Sequence, residues 1–474
     1  MNILKRITHY ANTTPDRICF VHRNEQMTYL ELELLSNGLS KLIEESYKPL
    51  FVYGHMSKWM IVGMIAGLKS RKGYVPIDTS IPYERIQKMI EVIQPEFMLD
   101  TELLSPEFNG TLIRPDMIHK EVEYAGEIAP GDVAYTIFTS GSTGTPKGVE
   151  ILASSLDDFT LWMESLYEGQ NENYWLNQAP LSFDLSVMAV YPSIATGSTL
   201  VMVDKDMIKK PIEIYQALKQ YPITAWVSTP SFLEMCLLLP EFEQEKHPNL
   251  KYFYFCGELF KHKTAQTLLN KFSESTIYNT YGPTEATVAV TGIQVTQNIL
   301  DEYNPLPVGY ARPGVELMIT DDSEILIKGD AVSIGYVKSP EKTASHFYEE
   351  DNIRVYRTGD AGIIKNELLF VNGRLDYQIK LNGYRMELEE IEHVITELEG
   401  ISQAVVTPIE KNGKVSYLVA HVVKSESIAM ETIKQSLLSK LPTYMVPKKF
   451  IEHEHIPMTP NGKVDRKQLK EVCV

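Results

Sequence analysis

Through the first three hundred residues, short apolar runs alternate with stretches in which apolar side chains return every three or four positions. Leu50 to Tyr53, Tyr74 to Ile77, Phe97 to Asp100, Val133 to Phe138 and Thr199 to Val203 read as buried strands. The amphipathic helices between them point to parallel sheets covered by helices. After Pro307 the texture changes to short alternating strands, Glu316 to Thr320 and Glu324 to Lys328, joined by Asp321-Asp322-Ser323. That pattern predicts a small antiparallel or barrel-like unit. From Tyr377 onward the order is strand, helix (Glu387 to Leu398), strands (Ala404 to Pro408, Tyr417 to Val423) and helix (Ile428 to Lys440), a compact α+β unit. The expected fold class is therefore α/β: a large N-terminal part over residues 1–375, with the barrel-like piece at 305–375, and a small mobile α+β domain over 376–474. No internal repeat or low-complexity tract breaks this order.

Composition narrows the function classes. The 474 residues are 44% hydrophobic and 23% charged, enough for a sizeable core and for two or three folded units, and unlike a disordered or fibrous chain. A net charge of −17 disfavours a broad grip on nucleic acid. Residues 377–474 hold 13 basic and 13 acidic side chains, so the whole excess lies on the larger part. A neutral small domain beside an acidic body is either drift of surface charge or a face on which an acidic protein partner docks. Cys19, Cys236, Cys256 and Cys473 are too few and too scattered for a disulfide framework or a zinc knuckle, and are expected as reduced thiols. Met1 to Asp16 lacks an apolar h-region, and runs such as Trp59 to Leu68 fall short of the roughly 18 residues that span a bilayer, so a cytoplasmic location without membrane insertion is expected.

The most informative stretch is Tyr135-Thr-Ile-Phe-Thr-Ser-Gly-Ser-Thr-Gly-Thr-Pro-Lys-Gly148. An apolar strand enters a loop of Gly, Ser and Thr with one lysine. Glycines let backbone N–H groups turn inward as an anion nest, hydroxyls add donors and Lys147 adds charge, which suits a polyphosphate. The spacing Gly141-x2-Gly144-x2-Lys147-Gly148 is not that of a Walker A loop. On its own such a loop is as readily a plain connection.

The full string resembles the phosphate loop of the adenylate-forming superfamily, which includes acyl-CoA synthetases, luciferases and the amino-acid-activating domains of nonribosomal peptide synthesis. Four further motifs follow in that family's order: Asn279-Thr-Tyr-Gly-Pro-Thr-Glu-Ala286, Tyr356-Arg-Thr-Gly-Asp360, Asn372 to Arg385 and Pro460-Asn-Gly-Lys-Val-Asp-Arg466. The resemblance implies the adenylate-forming fold, with ATP and Mg²⁺ as cofactors. It places Thr139, Ser140, Gly141, Ser142, Thr143, Gly144 and Lys147 on the phosphates, and Asn279, Thr280 and Tyr281 on the adenine, for which Tyr281 offers a stacking face. The Gly282-Pro283 turn then presents the Thr284 hydroxyl to a phosphate and the Glu285 carboxylate to the metal, a hard-oxygen pair. Asp360 accepts the ribose hydroxyls and Arg374 reaches the ribose or a phosphate. Lys463 bridges the substrate carboxylate and the α-phosphate, where negative charge builds, and is catalytic together with Glu285 and Thr284. Asp376 stands at the hinge position, and Gly383, Tyr384 and Arg385 line the channel for a carrier thiol.

Leu181 to Ser186 matches the segment lining the acyl pocket, with Asp184 where amino-acid-activating members hold the substrate ammonium. An unpaired buried carboxylate would be costly in a fatty-acid enzyme. Leu185, Gly282 and Val288 join the pocket, and Cys256 in Phe255-Cys-Gly-Glu258 replaces the usual glycine and crowds one side of the substrate α-carbon. These features are most similar to the branch that activates D-alanine and loads it onto a carrier protein for teichoic acid modification. The sequence contains no attachment-serine motif, so the implied partner is a separate, acidic, phosphopantetheinylated D-alanyl carrier protein. The alternatives are an acyl- or aryl-CoA ligase and a stand-alone adenylation domain for another small amino acid.

Overall fold

Strands that stay apolar on both faces are satisfied only when helices cover both sides of a sheet, and this chain builds two such sheets. The computed structural model describes residues 1–104, 107–122, 126, 128–141, 144–169, 173–411, 414–424, 428–459 and 464–472. One sheet of six strands runs Thr111–Ile113, Phe97–Asp100, Leu50–Gly54, Tyr74–Asp78, Val133–Thr139 and Lys147–Leu152. A second, of nine strands, has Ala225–Ser228, Tyr252–Phe255 and Thr276–Tyr281 side by side and parallel, with Thr291–Gln294 antiparallel to the last. The expected strands therefore appear, with ends shifted by a residue or so, as at Leu50–Gly54 and Thr199–Met202.

Local signals explain the covering helices. Helix Tyr29–Leu42 begins at a reciprocal cap, in which Thr28 Oγ1 accepts from the Glu31 N–H at 3.1 Å and the Glu31 carboxylate accepts from the Thr28 N–H at 3.2 Å. Helix Val187–Ala195, apolar on every side, is buried at every position. Trp226 is fully buried among Phe232, Phe242 and Phe253, and its indole N–H donates to Ser228 Oγ at 2.8 Å. Cys19, Cys236 and Cys256 are buried and form no disulfide, and burial pushes the first two well above the ordinary thiol value. Cys473 lies outside the described residues.

After Pro307 five antiparallel strands form, with Val315–Ile319, Glu324–Gly329, Ile353–Lys365 and Phe347–Glu350 in line and Leu368–Arg374 on the long third strand. Positive φ at Asp351 and Asn352, and again at Asn366 and Glu367, gives two tight turns whose twist matches their strands.

The chain divides into two units, one of residues 1–78, 93–137 and 149–373 and the other of 79–92, 138–148 and 374–474. In the second, the hairpin Gln378–Leu381 and Tyr384–Glu387 turns at Asn382-Gly383, both at positive φ. Glu387, expected to open a helix, still pairs with Gln378, so the helix starts at Leu388 and ends at Thr396. The following strands are longer than their apolar cores, Ile401–Lys411 and Lys414–Lys424, because backbone pairing continues through the polar ends. Ile391, Ile395, Ile433 and Leu437 of two helices pack on Val406, Leu418, Ala420 and Val422 of this sheet.

His421 is fully buried in that sheet, 3.0 Å from Thr407 Oγ1 and 2.9 Å from His453 Nε2. Burial first, then the charges of His453 and Arg466, lower its pKa from 6.5 to about 4. Between those values the unfolded chain binds a proton that the folded one refuses, so stability falls as pH drops through this window. The loss expected between pH 6.5 and 4 is of order 1 to 3 kcal/mol, read as a shift in the urea midpoint of the transition that includes this sheet. His421→Asn should flatten that dependence.

Candidate active site

Parallel strands leave their C-terminal ends, and the loops that follow, as the place where polar groups converge. Strand Thr276–Tyr281 ends at such a place. Asn279 and Thr280 serve the frame: Asn279 Nδ2 donates to the Pro307 carbonyl at 2.8 Å and Thr280 Oγ1 to the Phe255 carbonyl at 2.9 Å. Tyr281 closes the strand, and its hydroxyl donates to Asp360 Oδ2 at 2.6 Å. Asp360 is positioned in turn by Thr358, whose Oγ1 accepts the Asp360 N–H at 2.9 Å. The adenine and ribose candidates thus meet in one hydrogen bond.

Beyond Gly282-Pro283 comes a single helical turn, Thr284–Ala286. Thr284 is buried, and Glu285 is wholly enclosed at 0% exposure, with Oε1 accepting from the Tyr336 hydroxyl at 2.9 Å. Among the described residues no group of three or more His, Cys, Asp or Glu side chains could hold a metal. A cation at Glu285 therefore needs most of its oxygens from elsewhere, as when Mg²⁺ arrives with a polyphosphate.

The chain then turns back sharply. Thr287 and Val288 have φ of 56° and 69°, and the Ala289 N–H donates to the Thr287 carbonyl at 2.8 Å. A β-branched residue at positive φ is strained, by of order 1 to 3 kcal/mol, and here two are consecutive. Thr287 Oγ1 secures the turn by donating to the Ala331 carbonyl at 2.7 Å. The Val288 carbonyl faces Cys256, whose sulfur lies 3.9 Å away. Cys256, Gly282 and Val288, chosen from sequence as pocket residues, are therefore neighbours. Asp184 opens a short turn, Asp184–Ser186, that carries buried Leu185 and leads into helix Val187–Ala195. Its charge reaches Tyr135: burial drives that phenol well above its ordinary value, and Tyr74 and Asp184 push the same way.

In the second unit the loop after Phe138 is met by two carboxylates. The Gly141 N–H donates to Glu390 Oε2 at 3.1 Å, Lys147 Nζ to Glu387 Oε1 at 2.6 Å, and the Glu387 N–H to Ser140 Oγ at 3.1 Å. Arg85 also pairs with Glu390, and Lys88 Nζ donates to the Gly144 carbonyl at 2.9 Å. The loop's donors thus bind anionic oxygen. At Gly144 φ is +72°, and a Cβ would lie 2.4 Å from the His393 ring. Thr139 Oγ1 is buried with no hydrogen-bond partner among the described residues. Ser142, Thr143 and Lys463 lie outside the described residues.

Arg374 Nε donates to Asp376 Oδ1 at 2.9 Å. Burial alone would raise the Asp376 carboxyl, but Arg374 and the Gln378 N–H hold it below its ordinary value. Gly383 sits in the hairpin turn at positive φ, Tyr384 stacks on Tyr444 at 4.0 Å between ring centroids, and Arg385 Nε donates to Gln378 Oε1 at 2.7 Å. Sequence reasoning did not reach Tyr336, Glu387 or Glu390. The glutamates fall inside the helix expected over Glu387 to Leu398, and Tyr336 lies in none of the motifs.

Residues 7–337 match the family described as AMP-binding enzyme, and residues 390–463 the AMP-binding enzyme C-terminal domain. A D-alanine--D-alanyl carrier protein ligase of Staphylococcus epidermidis is 50% identical over 481 residues, covering 99% of each chain. One of Staphylococcus haemolyticus is 47% identical with the same coverage. Among solved structures, the Vibrio cholerae adenylation domain AlmE in complex with glycyl-adenosine-5'-phosphate has the same fold, with a TM-score of 0.85, 23% identity, and coverage of 100% of this chain and 97% of that one.

A Cβ on Gly282 would lie 2.5 Å from Ala289 Cα and 2.7 Å from the Val288 carbonyl oxygen. Both are backbone atoms. Gly282→Ala is expected to lower stability by about 1 to 3 kcal/mol in thermal unfolding and to displace the 287–289 turn in a crystal structure. At Gly131 a Cβ meets nothing within 4 Å, so Gly131→Ala should stay within about 0.5 kcal/mol of the parent.

Proposed function

Because the chain belongs to the AMP-binding enzyme family, we propose that it is the ligase that activates D-alanine with ATP and Mg²⁺ and passes the D-alanyl group to the phosphopantetheine thiol of a separate carrier protein, for D-alanylation of teichoic acids. The observation that carries this reading is identity of 47 to 50% over 99% of the chain with ligases named for that reaction. Two residues support it: Asp184 is a half-buried carboxylate, which suits an ammonium group, and Cys256 is buried against the Val288 carbonyl.

In the first half-reaction the D-alanine carboxylate attacks the α-phosphorus and the bond to pyrophosphate breaks. In the second the carrier thiol, giving up its proton, attacks the acyl carbon and the bond to AMP breaks. Asp184 holds the ammonium, Tyr281 and Asp360 hold adenine and ribose, and Thr139, Ser140, Gly141, Gly144, Lys147 and Thr284 hold the phosphates. Glu285 would hold Mg²⁺, which would supply positive charge beside the phosphate oxygens. Lys463 acts in the first half-reaction, Asp376 is the hinge between the two, and Gly383 to Arg385 face the thiol in the second. Among the described residues no helix is long and apolar enough to cross a membrane, and the supply of ATP fits a cytoplasmic location.

Pyrophosphate exchange across D-alanine, L-alanine, glycine and short fatty acids tests the reading. D-alanine should be activated best, and a short fatty acid in that place would overturn it. Asp184→Asn keeps the shape and removes the counter-charge, so amino-acid-dependent exchange should fall by orders of magnitude while ATP binding survives.

If Cys256 forms the wall that admits hydrogen but not methyl, the enantiomers should differ by roughly tens to a few hundredfold, since one methyl is worth about 1 to 3 kcal/mol. Cys256→Ala should then raise kcat/KM for L-alanine more than for D-alanine. An unchanged ratio would reduce Cys256 to packing.

A further inference from the structure

The segment from Ala331 to Tyr336 is bonded to two neighbouring elements of the first unit. On one side it holds the turn that carries Glu285: the Ser333 N–H donates to the Glu285 carbonyl at 2.8 Å, the Ala331 carbonyl receives Thr287 Oγ1, and the Tyr336 hydroxyl donates to Glu285 Oε1 at 2.9 Å. On the other side it holds strand Lys147–Leu152, which leaves the phosphate loop: Ser333 Oγ donates to the Glu150 carbonyl at 2.8 Å, the Glu150 N–H donates to the Gly335 carbonyl at 3.3 Å, and Val149 pairs with Tyr336.

Tyr336 is itself held. Its N–H donates to Thr343 Oγ1 at 3.0 Å, and its ring stands edge-on to Phe347 at 5.3 Å. Gly335, at φ +126°, lets Thr343 approach so closely that a Cβ would lie 2.5 Å from its methyl. The phenol is 5% exposed and the carboxylate it meets is 0% exposed, so bulk water does not compete for the bond.

We propose that Tyr336 is a positioning residue for Glu285, whose hydroxyl fixes one carboxylate oxygen and so sets the affinity of the site for the divalent cation that accompanies ATP. This rests on the reading of Glu285 as the metal-holding residue. A neutral donor is well matched to that role, because it fixes the rotation of the carboxylate without cancelling the charge a cation requires, which a lysine or arginine would do. The bonds from Ser333 place the backbone of Glu285 in register with the strand leaving the phosphate loop, so the cation site and that strand share one brace.

The experiment compares the parent with Tyr336→Phe, Thr343→Val and Glu285→Gln in the full chain. Mn²⁺ is titrated in the presence of α,β-methylene-ATP and followed by water-proton relaxation, a readout that needs no turnover. Pyrophosphate exchange is measured in parallel as a function of Mg²⁺. The phenylalanine keeps the ring packing and removes only the hydroxyl. It should weaken Mn²⁺ binding roughly 10- to 100-fold, with kcat recovered at saturating Mg²⁺ and KM for D-alanine unchanged there. Thr343→Val, which removes only the acceptor for the Tyr336 N–H, should shift Mn²⁺ affinity in the same direction by less, and it decides the matter if Tyr336→Phe does not fold. If Glu285→Gln weakens Mn²⁺ and neither other variant does, the proposal is overturned while the reading of Glu285 stands. If Glu285→Gln leaves Mn²⁺ binding unchanged, that reading falls and the proposal with it. A loss of kcat at every metal concentration with unaltered Mn²⁺ affinity also overturns it.

Discussion

The 2.6 Å hydrogen bond from the Tyr281 hydroxyl to Asp360 ties the last residue of a strand in the nine-stranded sheet to a strand of the five-stranded antiparallel sheet. Neither group can move without the other. Tyr281 is 7% exposed and Asp360 8%, so each would lose a buried partner if the sheets slid apart. The elements that follow Tyr281 in sequence hang from this register. The turn at Thr284 to Ala286 follows Tyr281 by three residues, the strained pair at Thr287 and Val288 follows that turn, and Thr358 braces Asp360 from its own strand. The constraint is geometric: a site built on strand ends is only as well defined as the relative position of those strands.

The strands of the parallel sheets were legible because burial on both faces leaves an unbroken apolar run, as at Leu50–Gly54. The hairpin joined by Asp321-Asp322-Ser323 was legible because a polar turn separates its two alternating strands. Edges were not. Glu387 is polar and precedes a good helix, yet backbone pairing with Gln378 keeps it in a strand, a tertiary fact that no local pattern carries. The site divides the same way. Cys256, Gly282 and Val288 could be named from their motifs, whereas Tyr336 is distant from Glu285 in sequence and marked by no spacing. Asn279 and Thr280 show the reverse: they belong to a motif, but their side chains bind the Pro307 and Phe255 carbonyls.

Among the described residues several buried charges are paired. Glu390 is fully buried and bonds both Arg85 and the Gly141 N–H, and Lys147 meets Glu387. Arg312 is held differently. It is 4% exposed, and its Nε and Nη2 have no hydrogen-bond partner among the described residues. The faces of Phe159 and Trp162, each 6.0 Å away, give it cation–π contact in place of hydrogen bonds, and burial lowers its pKa to about 10. It remains protonated at neutral pH, a permanent positive charge inside a unit that carries the acidic excess of the chain.

The consecutive left-handed residues Thr287 and Val288 bear on how such a pocket diversifies. At this position the wall beside Cys256 is a main-chain carbonyl, and the conformation that aims it is imposed by the Thr287 anchor and by the absence of a side chain at Gly282. Exchanging the Val288 side chain alters volume but leaves that carbonyl where it is. On the proposed reading, in which Cys256 and Val288 line the substrate pocket, a lineage acquiring a different substrate could resize that pocket by single replacements there, but could not relocate its polar contact without remaking the turn. The accessible evolutionary path is thus graded in size and abrupt in polarity.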